Sequence, residues 1–382
     1  MIYYGKQDVN NEDISAVEEV LRSDFLTQGP AIERFERRVA EYCGAKYAVA
    51  VTNATSALHI GCKALGLTDG GLLWTSPITF VASANCGRYC GADADFVDID
   101  ERTYNMSVDA LEAKLKSTER IPNVVVPVHL AGQSCDMERI HELSKRYGFS
   151  VMEDASHAVG ADYKGGKVGS CRYSDLTVFS FHPVKIITTG EGGMLLTNNV
   201  ELYEKLRLYR SHGITRDPSL MTHEPDGQWY YQQIDLGFNY RMTDIQAALG
   251  CSQMDRLDEF VSRRRYLAAR YDELLKDLPL KTPHQSEDTN SSWHIYVVRL
   301  DRSAVKKSKV QIFDEMRARG VTLNLHYIPV HTQPYYERLG HRPGECPAAM
   351  EYYAEAFTLP LYYRLTDEQQ DYVVESLRAV LL

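Results

Sequence analysis

Hydrophobic and polar positions change their rhythm along this chain. Up to about residue 250, short apolar and β-branched runs alternate with segments whose apolar residues recur at helical spacing. The runs predict strands at Tyr47–Val51, Leu72–Ser76, Ala94–Val97, Asn123–Val128, Ser150–Glu153, Leu176–Phe179 and Met194–Thr197. Between them lie amphipathic stretches such as Met137–Tyr147, where Ile140, Leu143 and Tyr147 share one face. Strands alternating with helices predict a wound α/β sheet, and an unbroken run such as Val124-Val125-Val126 suits a sheet covered on both faces. From Thr243 a long helical stretch, Asp244 to Leu278, leads into short strands (Tyr296–Leu300, Leu323–Tyr327) and helices (Val310–Arg319, Asp367–Leu382). This predicts a large domain over residues 1–250 and a smaller α+β domain over 251–382.

Composition narrows the partners. The chain has 382 residues, 44% hydrophobic and 25% charged, the balance of a folded globular protein. A net charge of −10 repels phosphate backbones, so nucleic acid is not an expected partner. The densest basic run, Arg263-Arg264-Arg265, falls in a helical pattern and reads as a solvated face. No apolar run nears the ~20 residues of a spanning helix, and the first residues lack a signal-peptide pattern. The eight cysteines are scattered, with only Cys86 and Cys90 close together and no nearby ligand histidines, so no metal site is expected. Free thiols and no membrane segment together predict a soluble cytoplasmic protein.

Several unusual segments fall where strands end, the edge at which wound sheets bind ligands. Thr52-Asn53-Ala54-Thr55-Ser56-Ala57 reads as a helix start, either capped by Thr55 or Ser56 or offering free N–H groups to an anion. Glu153-Asp154-Ala155-Ser156-His157 holds two acids suited to a turn, to magnesium, or to keeping a proton on a heterocyclic nitrogen. Lys185, between Val184 and Ile186 and before Gly190, Gly192 and Gly193, is either a surface lysine or a desolvated amine fit for a Schiff base. Phe80 reads alone as core, or at a strand end as a stacker on a flat ring. Gly237–Asp244 is a polar loop with Thr243 as the N-cap of the next helix. An anion cradle, a flat stacker, a carboxylate and a desolvated amine are the grips that pyridoxal 5′-phosphate requires. No G-x-G-x-x-G follows a strand and no G-x-x-x-x-G-K-[ST] is present, so nicotinamide and ATP readings lose their main supports.

These segments, with Leu26–Pro30, Pro77–Phe80, Ser180–Lys185, Glu191–Gly193, Asn239–Thr243 and His326–Pro329, resemble the DegT/DnrJ/EryC sugar aminotransferases over nearly the whole chain. The resemblance implies a fold-type I pyridoxal-phosphate transferase, α/β, with a mostly parallel seven-stranded sheet in the large domain. It implies that Lys185 would bind the cofactor's aldehyde and then shuttle the substrate proton, and that Asp154 would pair with the ring nitrogen. Ala54, Thr55 and Ser180 would hold the phosphate, with Asn239 reaching in from the other subunit of a homodimer. Phe80 would cover the ring and His157 would sit near its 3-hydroxyl, where many relatives have glutamine. Tyr4, Gln28, His182, His326 and Tyr327 would face the sugar nucleotide. The run Phe179–Lys185 with Thr188–Gly193 looks most like the branch that aminates C4 of a UDP-linked 4-keto-6-deoxy-N-acetylhexosamine on the way to pseudaminic acid, with L-glutamate as donor. Relatives that dehydrate instead replace the lysine with histidine, so Lys185 favours transamination. A transaminase for another dTDP-hexose or UDP-pentose and a non-catalytic sugar-nucleotide binder are the alternatives.

Overall fold

The computed structural model describes all of residues 1–382. Each of the seven apolar runs expected before residue 200 forms a strand: β1 Tyr47–Val51, β2 Leu72–Thr75, β3 Asp93–Phe96, β4 Val124–Val126, β5 Ser150–Asp154, β6 Leu176–Ser180 and β7 Gly193–Thr197. They make one sheet in the order β1-β7-β6-β5-β4-β2-β3. Neighbours are parallel except β7, which runs antiparallel to both β1 and β6. The alternation of side chains along a strand explains how the sheet is covered. Val125, Val151, Phe179 and Leu196 pack on one face with the helices Pro30–Cys43, Met137–Tyr147 and Asp244–Met254. Val124, Val126, Met152 and Leu195 pack on the other with Ala54–Ala64 and Val200–Arg210.

Residues beyond 256 build a three-stranded antiparallel sheet, Leu280–Lys281, Tyr296–Leu300 and Ala356–Leu359. The helices Leu257–Leu274, Lys309–Ala318 and Asp367–Leu381 close a second apolar core on it. The first residues join this part: Ile2 N–H donates to Gly320 O, and Leu361 N–H donates to Tyr4 O at 3.0 Å. No helix is long and apolar enough to cross a membrane.

Three local expectations are corrected. The helical stretch 244–278 is two helices, because Arg256 leaves the helical track (φ −112°, ψ 6°) and its guanidinium is held by Asp8 and Asp13. Leu323–Tyr327 is no strand: Asn324 alone pairs with Thr358, and the chain then turns so that His326 and Tyr327 enter a cleft. The arginine triplet is not a solvated face either. Consecutive helical residues point about 100° apart, and Arg264 points inward, 2% exposed, donating to the carbonyls of Trp293, His294 and Leu361.

Candidate active site

The carboxyl ends of β1, β5 and β6 open into a cleft of about 630 Å³, shared with the segment Asn324–Tyr327. Tyr4, Ala54, Thr55, Phe80, Asp154, His157, Ser180, His182, Lys185, His326 and Tyr327 all line it. Gln28 and Asn239 do not. Both are exposed, and Gln28 lies in a separate groove with Arg210 and Arg241.

The helix Ala54–Ala64 begins at this edge, and its cap is Asn53, whose side chain accepts the Ser56 N–H at 2.8 Å. Neither Thr55 nor Ser56 serves as the cap, a correction of the sequence reading. Ala54 and Thr55 precede the first intrahelical bond, so their N–H groups remain for an anion. Gly193 makes the cradle possible. It lies opposite both Val51 and Ser180 in the sheet. A Cβ there would lie 2.5 Å from the Asn53 backbone and 2.6 Å from Ala54 N.

The two acids at the end of β5 part company, because successive strand residues face opposite ways. Glu153 is buried and accepts from His129 Nε2 (2.6 Å), Ser174 and Thr177. Asp154 turns to the cleft, where Ser83 Oγ donates to Oδ2 at 2.6 Å and the Ser156 N–H to Oδ1 at 3.1 Å. They cannot share one magnesium ion. Of potential metal-ligand groupings, Asp95, His341 and Glu345 lie close together elsewhere, and there Lys114 already pairs with Asp95 at 2.7 Å.

Lys185 lies half-buried in the cleft, its amine free of any hydrogen-bonding partner in the chain. Burial lowers its pKa to about 8, against the upward pull of Asp154. Phe80 is not core: 59% exposed, it stands over the cleft 6.2 Å from the Tyr327 ring. His157 accepts the Ala131 N–H at Nδ1 (3.3 Å) and meets Tyr327 Oη at Nε2 (3.0 Å).

Sequence reading missed His294, which also lines the cleft. Its ring lies 4.4 Å from that of His157, and its buried Nδ1 has no partner. Burial, with Lys185 close by, drives the pKa of His157 and His294 well down and that of His326 to about 3, so all three stay neutral. The only sequence cue to His294 was its place just before the strand Tyr296–Leu300.

The site fits pyridoxal phosphate on the chemistry of its donors. An anion cradle that a side chain at Gly193 would fill, a carboxylate, an unpaired amine of lowered pKa and an exposed aromatic face converge on one cleft.

Comparison with known proteins agrees. The profile of the DegT/DnrJ/EryC1/StrS aminotransferase family matches residues 7–378. The chain belongs to this family. It is therefore a pyridoxal-phosphate-dependent sugar aminotransferase with the fold-type I architecture expected from its motifs. Among relatives, the spore coat polysaccharide biosynthesis protein SpsC of Bacillus subtilis is 38% identical over 376 residues, covering 98% of this chain and 95% of its own. A UDP-4-amino-4,6-dideoxy-N-acetyl-beta-L-altrosamine transaminase of Campylobacter jejuni is 35% identical, covering 100% of this chain and 98% of its own. The structure of Helicobacter pylori PseC, an aminotransferase involved in the biosynthesis of pseudoaminic acid, superposes with a TM-score of 0.91 at 31% identity, covering 100% of this chain and 99% of that one.

Proposed function

We propose that this aminotransferase moves an amino group from L-glutamate to C4 of a UDP-linked 4-keto-6-deoxy-N-acetylhexosamine. The observation that carries the chemistry is Lys185, an unpaired amine with pKa drawn to about 8, in one cleft with Asp154 and the N–H cradle of Ala54 and Thr55. The substrate rests on the names of the Campylobacter and Helicobacter relatives and on the Phe179–Lys185 motif.

Bound pyridoxal phosphate supplies a carbonyl carbon that accepts amines and a ring that delocalises negative charge. The chain does the rest. Lys185 takes the donor's α-proton as a neutral amine and returns a proton to C4 of the sugar, a role suited to a base poised near operating pH. Asp154, fixed by Ser83 and the Ser156 N–H, keeps a proton on the ring nitrogen. Ala54, Thr55 and Ser180 hold the phosphate, and Phe80 covers the ring. Tyr4, His182 and His326 also line the cleft and face the sugar nucleotide. The protein acts as a homodimer, with Asn239 and Gln28 serving the partner's cleft. Their exposure outside their own cleft supports that reading, as do exposed Phe25, Trp229 and Leu236.

The visible spectrum tests this. Protein loaded with pyridoxal phosphate should be yellow, bleach with L-glutamate, and recover its band with the UDP-4-keto sugar. A band indifferent to glutamate removes the donor. Recovery only with a dTDP-hexose or UDP-pentose transfers the activity to that sugar.

A further inference from the structure

The helix Ala54–Ala64 does more than open an anion cradle at its first residues. His59 stands about 7.5 Å along its axis from Ala54, at the usual helical rise. It is 9% exposed and lies outside the cleft. Its ring sits 4.6 Å from that of Phe238, and Nδ1 meets Tyr240 Oη at 3.2 Å. The rings of Phe238 and Tyr240 stack on each other at 4.9 Å. Lys63, four residues on and so on the same helix face, pairs with Asp235 at 3.3 Å and lies over the Tyr209 ring. Two side chains of one helix thus grip the segment on both sides of Gly237.

That segment is extended. Phe238 N–H donates to Tyr209 O, Tyr240 N–H to Arg210 O, and Thr52 N–H to Tyr240 O. Side chains alternate along an extended chain. Phe238 and Tyr240 turn to the helix and are partly buried, and Asn239 between them is exposed. An exposed side chain takes its direction from the backbone beneath it, and here the two neighbours fix that backbone.

We propose that His59 is a positioning residue for the partner's cofactor site: through Phe238 and Tyr240 it sets the direction in which Asn239 is presented across the subunit boundary. The inference rests on reading Asn239 as serving the partner's cleft, and goes beyond it by naming what aims the amide. The support is firm because the opposite side of the helix packs directly on the sheet, where a Cβ on Gly61 would lie 2.5 Å from Met152 Sδ. One helix therefore serves two sites. Its N-terminus holds the phosphate of its own subunit, and His59 acts on the phosphate of the other.

The experiment uses mixed dimers of two differently tagged chains, co-expressed and purified through both tags. One chain carries His59→Ala and the other Lys185→Ala. The protein-bound yellow band needs Lys185, so titration with pyridoxal phosphate reports only the site in the His59→Ala chain. The Asn239 that reaches this site comes from the other chain, whose His59 is intact. The His59→Ala homodimer should bind the cofactor about tenfold more weakly than wild type, the scale of one hydrogen bond to a charged group. The mixed dimer should bind it as wild type does. A homodimer of undiminished affinity overturns the proposal, and so does equal weakening in both dimers, which would make His59 a support of its own cradle. If His59→Ala does not fold, Tyr240→Phe goes through the same comparison, because it keeps the stacked ring and loses only the hydroxyl. A loss of about threefold, the scale of a neutral hydrogen bond, should appear in its homodimer and vanish in its mixed dimer; no loss, or a loss in both, overturns the proposal. Asn239→Ala in place of His59→Ala is the control. If that variant is not weakened alone and restored in the mixed dimer, or if no doubly tagged dimer forms, the homodimer reading fails and this proposal with it.

Discussion

At the scale of single residues, Lys185 gives the sharpest test. Its flanking Val184 and Ile186 suggested desolvation, but Ile186 points away into the main core. The lowered pKa comes instead from the walls of the cleft, which no local run of sequence displays. The amine must be neutral to attack an aldehyde. With a pKa of about 8, its neutral fraction rises about tenfold per pH unit below that value and then levels off. Capture of pyridoxal phosphate by the apoprotein, followed by the growth of visible absorbance, should show that profile. A rate that keeps climbing to about pH 10 would mean an unperturbed lysine. The same shift bears on stability. The unfolded chain binds more protons than the folded one between about 8 and the ordinary lysine value of 10.5, so this residue makes the folded apoprotein more stable as pH rises through that window. Lys185→Ala should lose turnover by at least about a hundredfold, since it removes the proton carrier, while leaving the fold intact.

At the scale of elements, Gly193 decides how two strand ends and a helix N-terminus meet. Any side chain there collides with backbone atoms of Asn53 and Ala54, which cannot swing aside as a flexible side chain would. Gly193→Ala should push the helix start off its place and loosen the cofactor about tenfold or more, the cost of one charge-assisted hydrogen bond. Fluorescence titration of the apoprotein with pyridoxal phosphate reads it; unchanged affinity would show that the cradle does not depend on this approach. The glycine-rich loop was visible in the sequence, and so were all seven strands of the sheet, the buried ones as near-continuous apolar runs and the edge strand Asp93–Phe96 by its alternation. The N-cap Thr243 was equally legible, and its box with Gln246 is formed. Features set by distant partners were not legible. Asn53 rather than its neighbours caps the helix because of how the chain leaves β1. Arg264 is buried because carbonyls far along the chain receive it, and Phe80 stands exposed because the cleft leaves its ring uncovered. His294 escaped notice for the same reason: it joins the site from a part of the chain that carries none of the other motifs.

At the scale of the whole molecule, two residues that the motifs single out lie outside the cleft. Asn239 and Gln28 sit outside it and are exposed, and the neighbouring surface carries Phe25, Leu26 and Leu236 in the open. An apolar surface of this kind is expected to be covered by a partner. If Asn239 of one subunit completes the site of the other, two inactive variants can rescue each other. Lys185→Ala and Asn239→Ala homodimers should each lose most turnover. When they are mixed and allowed to exchange subunits, a mixed dimer carries both lesions in one site and none in the other. Random exchange makes half the dimers mixed, each with one intact site of two, so activity should recover to about a quarter of wild type. Sites built within single subunits would give no recovery beyond the sum of the two variants. Subunits that never exchange would give the same sum, so exchange must be followed in parallel by labelling one variant and watching mixed dimers form. Recovery in step with that exchange would place Asn239 across the subunit boundary.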